Sequence, residues 1–235
     1  MAETVQDFTA IPDMLRGDER VLILGGIREA ADLAGMLVAN GHHVISSLAG
    51  RTKEPMPVAG IVRIGGFGGA EGLAMFIKDN AIGVVIDATH PFAKNISANA
   101  VLAAAQCRLI IYTRAAWKKQ PGDYWIEVET LEAARDILPA NACVLLALGS
   151  QHIALFSSRS DVHFVVRMVD QPAQPLSLPD HRLVLGKPGD AVAETQLLLK
   201  HAITHIICRN SGGVGAYAKI DAARTLNLPV IIINR

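Results

Sequence analysis

Short apolar runs rich in valine and isoleucine alternate along the chain with longer stretches in which leucine and alanine recur at helical spacing. A strand buried on both faces of a parallel sheet reads as an unbroken apolar run, while the helix that crosses between two such strands keeps a polar outer side. The pattern therefore predicts an α/β protein. VLILGG (21–26) leads into a helix from Arg28 to about Ala39, which Asn40-Gly41 ends, and HHVISS supplies the next strand. IVRIGG, a helix through Leu73, Phe76 and Ile77, GVVIDATHPFA, a helix over 97–105 and RLIIYTR continue the series, so five strands are expected before residue 114.

The alternation breaks at AAWKKQPGDYW, which mixes charge with Pro121 and Gly122 and is read as a hinge or linker. It then resumes. ACVLLALGS, VHFVVRMVD, HRLVLGK, THIICRNSGG and LPVIIINR are expected strands, with helices near 151–157, 190–200 and 217–226. The predicted architecture is two Rossmann-like, doubly wound parallel-sheet halves with a cleft between them, covering 20–113 and 114–235. Residues 1–19 are polar and acidic, lack the basic start and apolar stretch of a secretory leader, and are expected to be a mobile extension.

Composition narrows the classes of function. The chain has 235 residues, 51% of them hydrophobic, enough for a substantial core. Lys plus Arg and Asp plus Glu each number 22, which argues against a general nucleic-acid or acidic-membrane binder. Cys107, Cys143 and Cys208 are odd in number and far apart, so they suggest free thiols in a reducing cytoplasm rather than a disulfide framework or a metal site. No apolar run approaches the roughly 20 residues of a membrane span. Nothing long and amphipathic asks for a partner, and a monomer is expected.

In open parallel sheets, ligands lie beyond the carboxyl ends of the strands, where helix N-termini present free amides. Gly25-Gly26-Ile27-Arg28-Glu29-Ala30 follows a strand and opens a helix, so its backbone can approach a pyrophosphate. It departs from G-x-G-x-x-G, because Ile27 takes the middle position, and a glycine pair here can also be a plain tight turn. The second strand ends in Ser46, Ser47, Leu48, Ala49, Gly50, Arg51 and Thr52. An NAD site usually places an acid there; hydroxyls and a guanidinium suit a 2′-phosphate instead. Asp87-Ala88-Thr89-His90-Pro91-Phe92 closes the fourth strand, and His90 there can transfer a proton near neutral pH, though Asn95 nearby can be an ordinary helix cap. Arginines follow apolar runs at Arg114, Arg167, Arg209 and Arg235. With Lys187 and Lys219 they either ring a polyanion site or form structural ion pairs. Arg209-Asn210-Ser211-Gly212-Gly213, followed by Tyr217 and Lys219, is the last candidate loop.

Taken together, VLILGGIREA, SLAGRT, VRIGGFGG, IDATHPFA, the stretch from Arg114 to Trp117 and RNSGG with Tyr217 and Lys219 resemble the precorrin-6A reductase family of cobalamin biosynthesis, from residue 20 to the end. The resemblance implies NADPH-dependent reduction of one macrocycle double bond, precorrin-6A to precorrin-6B, on a substrate that is cobalt-free or cobalt-bearing. It departs at Ile27, Ala115 and Arg209, where Thr, Pro and Lys are usual. The expected nucleotide contacts are Gly25, Gly26, Ile27, Arg28, Ser47, Gly50, Arg51 and Thr89. Arg114, Arg167, Arg209, Asn210, Ser211 and Lys219 are expected to hold the tetrapyrrole carboxylates, and His90 or Tyr217 to supply a proton. The alternatives are another NADP-dependent oxidoreductase of a polyanion and a non-catalytic dinucleotide sensor.

Overall fold

The computed structural model describes residues 2–50 and 56–235. The chain divides into two units, Met1–Ala115 and Ala116–Arg235, the division falling two residues beyond the boundary read from the sequence.

The first unit is built on β2 (Arg20–Leu24), β3 (His43–Leu48), β4 (Ile61–Ile64), β5 (Val84–Asp87) and β6 (Arg108–Tyr112). With β1 (Ala2–Val5) they form a sheet in the order β1-β6-β5-β2-β3-β4, every pair parallel. Parallel neighbours need crossovers, and α2 (Arg28–Ala39), α3 (Ala70–Asp79) and α4 (Lys94–Ala103) supply them. The run Val21-Leu22-Ile23-Leu24 is wholly buried because successive side chains serve opposite layers. Val21 and Ile23 pack with Leu33, Ala34 and Leu37 of α2. Leu22 and Leu24 pack with Leu73 and Ile77 of α3 and Ala100 of α4.

The N-terminal segment is not the mobile extension expected from its polarity. Strand β1 pairs with β6 from Ala2↔Leu109 to Val5↔Tyr112, Thr113 N–H donates to Val5 O, and the short helix α1 (Ile11–Met14) drops a fully buried Ile11 into the α2-side core. Phe8 meets Tyr112 edge-on at 5.7 Å. An edge strand is held by its backbone ladder and does not need apolar side chains, so AETV gives no strand signal.

The second unit contains β7 (Trp125–Val128), α5 (Leu131–Asp136), β8 (Cys143–Ala147), β9 (His163–Met168), β10 (His181–Leu185), α6 (Ala191–Lys200), β11 (His205–Arg209), α7 (Ala218–Thr225) and β12 (Val230–Ile233). A short 3-10 helix at Ser150–Phe156 stands between β8 and β9. The sheet order is β10-β9-β8-β11-β12-β7, again all parallel. Strand β7 begins at Trp125, the last residue of the segment read as a linker, and Trp125 is buried with Leu145, Ile206 and Ile232.

Both units share one topology. In each, an N-terminal strand (β1 or β7) takes the outer edge beside the last strand, and the remaining five follow the doubly wound order, reversing between β2 and β5 in one unit and between β8 and β11 in the other. Cys107, Cys143 and Cys208 are free thiols, of which only Cys208 is buried. Among the described residues no helix is long and apolar enough to cross a membrane.

Candidate active site

In the first unit the strand order reverses between β2 and β5, and the loops after these strands flank one point. Gly25 N–H donates to Ser47 O at 3.0 Å on one side, and Ala88 N–H donates to Leu24 O at 2.9 Å on the other. Gly26 has φ +118, which favours glycine, and nothing lies within 4 Å of where a Cβ would stand, so the turn opens onto space. Helix α2 begins at Ile27 with no side-chain cap, leaving its first amides available to an anion. This is a turn that fits a pyrophosphate.

The charged groups at this helix start are arranged around the turn. Glu29, in the first turn of α2, carries a negative charge that opposes an incoming phosphate, and Arg114 lies 3.4 Å from it. Arg114 thus acts on a carboxylate of its own unit. Arg28 is exposed and lies 3.9 Å from Asp32, a weak surface pair.

The end of β3 contains no acid among Ser46, Ser47, Leu48, Ala49 and Gly50. Gly50 has φ +70, and a Cβ there would come within 2.9 Å of Ile64 Cγ2, so only glycine lets the chain turn past β4. Arg51, expected on the 2′-phosphate, lies outside the described residues. Beside Ser47 in the register stands Arg63 of β4, a residue that the sequence reading did not single out. Its guanidinium donates to Gly65 O (2.6 Å) and Gly66 O (2.7 Å), comes within 3.5 Å of Ser47 Oγ, and lies 3.9 Å above the centre of the Phe67 ring.

On the other side of the turn, the buried Asp87 carboxylate accepts from both the Thr89 amide (3.1 Å) and the Thr89 hydroxyl (2.7 Å). Thr89 is thereby fixed, with its hydroxyl proton committed to Asp87. Phe92 N–H donates to His90 Nδ1 at 3.3 Å, which leaves Nε2 to carry the proton of the neutral ring. The Phe92 ring tilts against the imidazole at 5.9 Å.

In the second unit, several of the residues expected to hold carboxylates are engaged with other groups of the same unit. Arg167 Nη1 reaches both oxygens of Glu194 at 2.5 and 2.6 Å, and Glu194 also accepts from Gly189 N–H; the two side chains are 7% and 2% exposed. Asn210 spends its amide on Trp117, accepting from its N–H (2.7 Å) and donating to its carbonyl (3.0 Å), while Trp117 Nε1 donates to Gly213 O. Lys219, 4% exposed, donates to Ala216 O and lies 5.0 Å from the centre of the Trp117 ring; burial pushes its ammonium below the usual lysine range. Tyr217 packs edge-on against Trp117, and its hydroxyl accepts from Arg224. Arg235 Nε donates to Asn210 O, so the C-terminal residue also braces this loop. Arg209 and Ser211 stand at the carboxyl end of β11, beside the strand reversal.

The family described as "Precorrin-6x reductase CbiJ/CobK" matches residues 20–235. The chain belongs to the precorrin-6x reductase family. The precorrin-6A reductase of Rhodobacter capsulatus is 47% identical over 220 residues, spanning 92% of this chain and 88% of the relative. That of Mycobacterium tuberculosis is 39% identical over 92% and 88%. A cobalt-precorrin-6A reductase of Priestia megaterium is 28% identical over 92% and 90%. A solved CobK precorrin-6A reductase superposes with a TM-score of 0.86 at 45% identity, covering 92% of this chain and 88% of the other.

As a member of the precorrin-6x reductase family, the chain is an oxidoreductase working with a reduced nicotinamide cofactor. Its two doubly wound sheets are those of the family's solved structure. The sequence reading passed over Arg63 and Glu194, and it named Glu29 and Asp87 within their loops without giving them a role. The available clue for Arg63 was a lone cation near the end of an apolar run that leads into GGFGG. Glu29 and Glu194 gave no clue, since each is defined by an arginine distant in sequence, whereas Asp87 turns back on Thr89 two residues on.

Proposed function

We propose that this protein reduces one double bond of precorrin-6A, using NADPH as the donor. The observation that carries the reading is the glycine turn at the strand reversal of the first unit, opening onto an uncapped helix start and flanked by a β3 end that lacks an acid. The family's reaction supplies the chemistry to which this turn is matched.

When bound, the reduced nicotinamide supplies a hydride. The chain's own residues do the rest. Gly25 and Gly26 bring backbone amides to the pyrophosphate, and Ser47 with the β3–β4 loop takes the adenosine end. Arg114 screens Glu29, so the helix start presents net positive potential to the phosphates. Thr89 is held by Asp87 at the far side of the turn and shapes the floor beneath the nicotinamide. His90, once protonated from solvent, gives a proton from Nε2 to the reduced ring system and is left as the neutral imidazole, and Tyr217 is the second candidate donor.

In the second unit, Arg209 and Ser211 supply the guanidinium and hydroxyl that recognise the substrate's carboxylates. Behind them, Asn210 and Lys219 hold the 209–217 loop through Trp117 and Ala216, while Arg167 ties β9 to the start of α6 through Glu194. Much of the rate then comes from positioning the two reacting carbons.

Anaerobic incubation with precorrin-6A tests the reading. Loss of nicotinamide absorbance should depend on the macrocycle, match its spectral change one to one, and be faster with NADPH than with NADH. Oxidation of NADPH without precorrin-6A, or none with it, overturns the assignment. Replacing His90 with Ala should lower kcat with little effect on the NADPH KM; full turnover at saturating substrate removes its proton role.

A further inference from the structure

We infer that Arg63 is the residue that recognises the 2′-phosphate of the nucleotide, and so sets the preference for NADPH over NADH. The inference rests on the reading of the first unit as the nucleotide site and adds to it a specificity-determining residue on a strand the dinucleotide fingerprint does not include.

Position comes first. In a doubly wound sheet the adenosine half of a dinucleotide lies over the strands on the β3–β4 side of the reversal, and the residue that reads the ribose 2′ position stands at the carboxyl end of the strand after the glycine turn. Here that strand is β3, which offers Ser47 and no acid. Arg63 is the register partner of Ser47 on β4, and its side chain curls toward the carboxyl end of both strands, bringing the guanidinium within 3.5 Å of Ser47 Oγ. A cation is thereby placed where NAD enzymes put a carboxylate.

Charge comes second. Most arginines of this chain with a described partner have a carboxylate: Arg108 with Glu19, Arg114 with Glu29, Arg159 with Asp161, Arg167 with Glu194 and Arg224 with Asp123. Among the described residues no carboxylate pairs with Arg63. Its described hydrogen bonds go to neutral oxygens, two backbone carbonyls and a hydroxyl, so among the described residues its positive charge is oriented without being neutralised. A guanidinium oriented this way forms charge-assisted hydrogen bonds to a phosphate monoester without first breaking an ion pair.

Rigidity comes third. The Gly65 and Gly66 carbonyls hold Nη1 and Nη2, and the Phe67 ring covers one face at 3.9 Å, so a rotamer-rich side chain is already ordered before ligand arrives. The same contacts tie the β4–α3 loop to the nucleotide side of the sheet, which gives the glycines of GGFGG a reason to begin two residues after Arg63.

The test is direct binding of adenosine 2′,5′-bisphosphate and of 5′-AMP, which differ only in the 2′-phosphate, by titration calorimetry on the full chain. Wild-type protein should bind the bisphosphate more tightly, by about tenfold or more for charge-assisted bonds to one phosphate. Arg63→Met should lose most of that preference while its affinity for 5′-AMP changes less than about twofold, and Arg63→Lys, which keeps the charge, should recover part of it. In turnover, Arg63→Met should raise the KM for NADPH and leave the NADH KM and both kcat values close to wild type. Equal weakening of both ligands by Arg63→Met, with circular dichroism unchanged, means that Arg63 only braces the loop and overturns the inference. Unchanged preference overturns it as well. Wild-type protein that binds neither ligand, or both alike, instead removes the NADPH reading and the Arg63 assignment with it.

Discussion

The buried pair Arg167–Glu194 gives a quantitative test of how the second unit is held. Glu194 is 2% and Arg167 7% exposed, and Glu194 accepts from both Arg167 and Gly189 N–H, so neither charge has recourse to water. Removing one partner strands the other charge in the interior, at a cost of about 3–5 kcal/mol. Replacing both with apolar residues of similar size is close to neutral by the same reasoning, because two desolvation penalties vanish together. The variants are Glu194→Leu, Arg167→Met and their combination. Trp117 and Trp125, the two tryptophans of the chain, both lie in the second unit, so tryptophan fluorescence during urea unfolding reports that unit alone. With a urea slope of about 2 kcal/mol per molar, each single variant should lower the midpoint by roughly 2 M. The double variant should return to within about 0.5 M of wild type by the same slope. If the double variant is as unstable as the singles, the pair is not compensating charge, and the reasoning fails. If the double variant is stable yet the KM for the tetrapyrrole rises steeply, Arg167 contacts substrate directly rather than bracing the start of α6.

Three further outcomes are expected. Gly26→Ala forces a side chain onto φ +118, at about 1–3 kcal/mol of backbone strain, and should weaken nucleotide binding about tenfold or more by calorimetry; unaltered affinity would separate the turn from the pyrophosphate. Asn210→Ala leaves the Trp117 amide and carbonyl without their side-chain partners and should destabilise the second unit by about 2 kcal/mol, with a red shift of tryptophan emission; an unshifted spectrum would place Trp117 elsewhere. Burial lowers the proton affinity of His205 below the usual 6.5, so between that value and its folded pKa the unfolded chain binds more protons than the folded one. The stability of the second unit, fully present above pH 6.5, should therefore fall as pH drops through this window, and His205→Gln should flatten that decline in urea midpoints measured from pH 7.5 to 5.

What was legible in the sequence follows from how each residue earns its place. Val21 to Leu24 are buried on two faces and announce a central strand by composition alone. Ala2 to Val5 and Trp125 to Val128 stand at equivalent outer edges of their sheets and are held by backbone pairing with one neighbour, so neither segment needs a continuous apolar run, and both were missed. The glycine turn and the acid-free end of β3 could be read because backbone geometry and charge act locally there. The arginines could be located but not interpreted: whether Arg167 meets a substrate carboxylate or Glu194 depends on a residue 27 positions away whose proximity only the fold creates. Arg63 escaped notice for the converse reason, since its meaning comes from the neighbouring strand, not from its own run.

The first strand has a consequence for handling the protein. The family resemblance begins at residue 20, and a gene trimmed to that point would discard β1 and the Ile11 plug together. Strand β6 would then become the border of its sheet, offering the unsatisfied amides and carbonyls of Arg108 to Tyr112 to any other copy in solution. The polar opening residues thus work as a guard rail against sheet-to-sheet aggregation, and shortening them trades a tidier sequence for a stickier molecule.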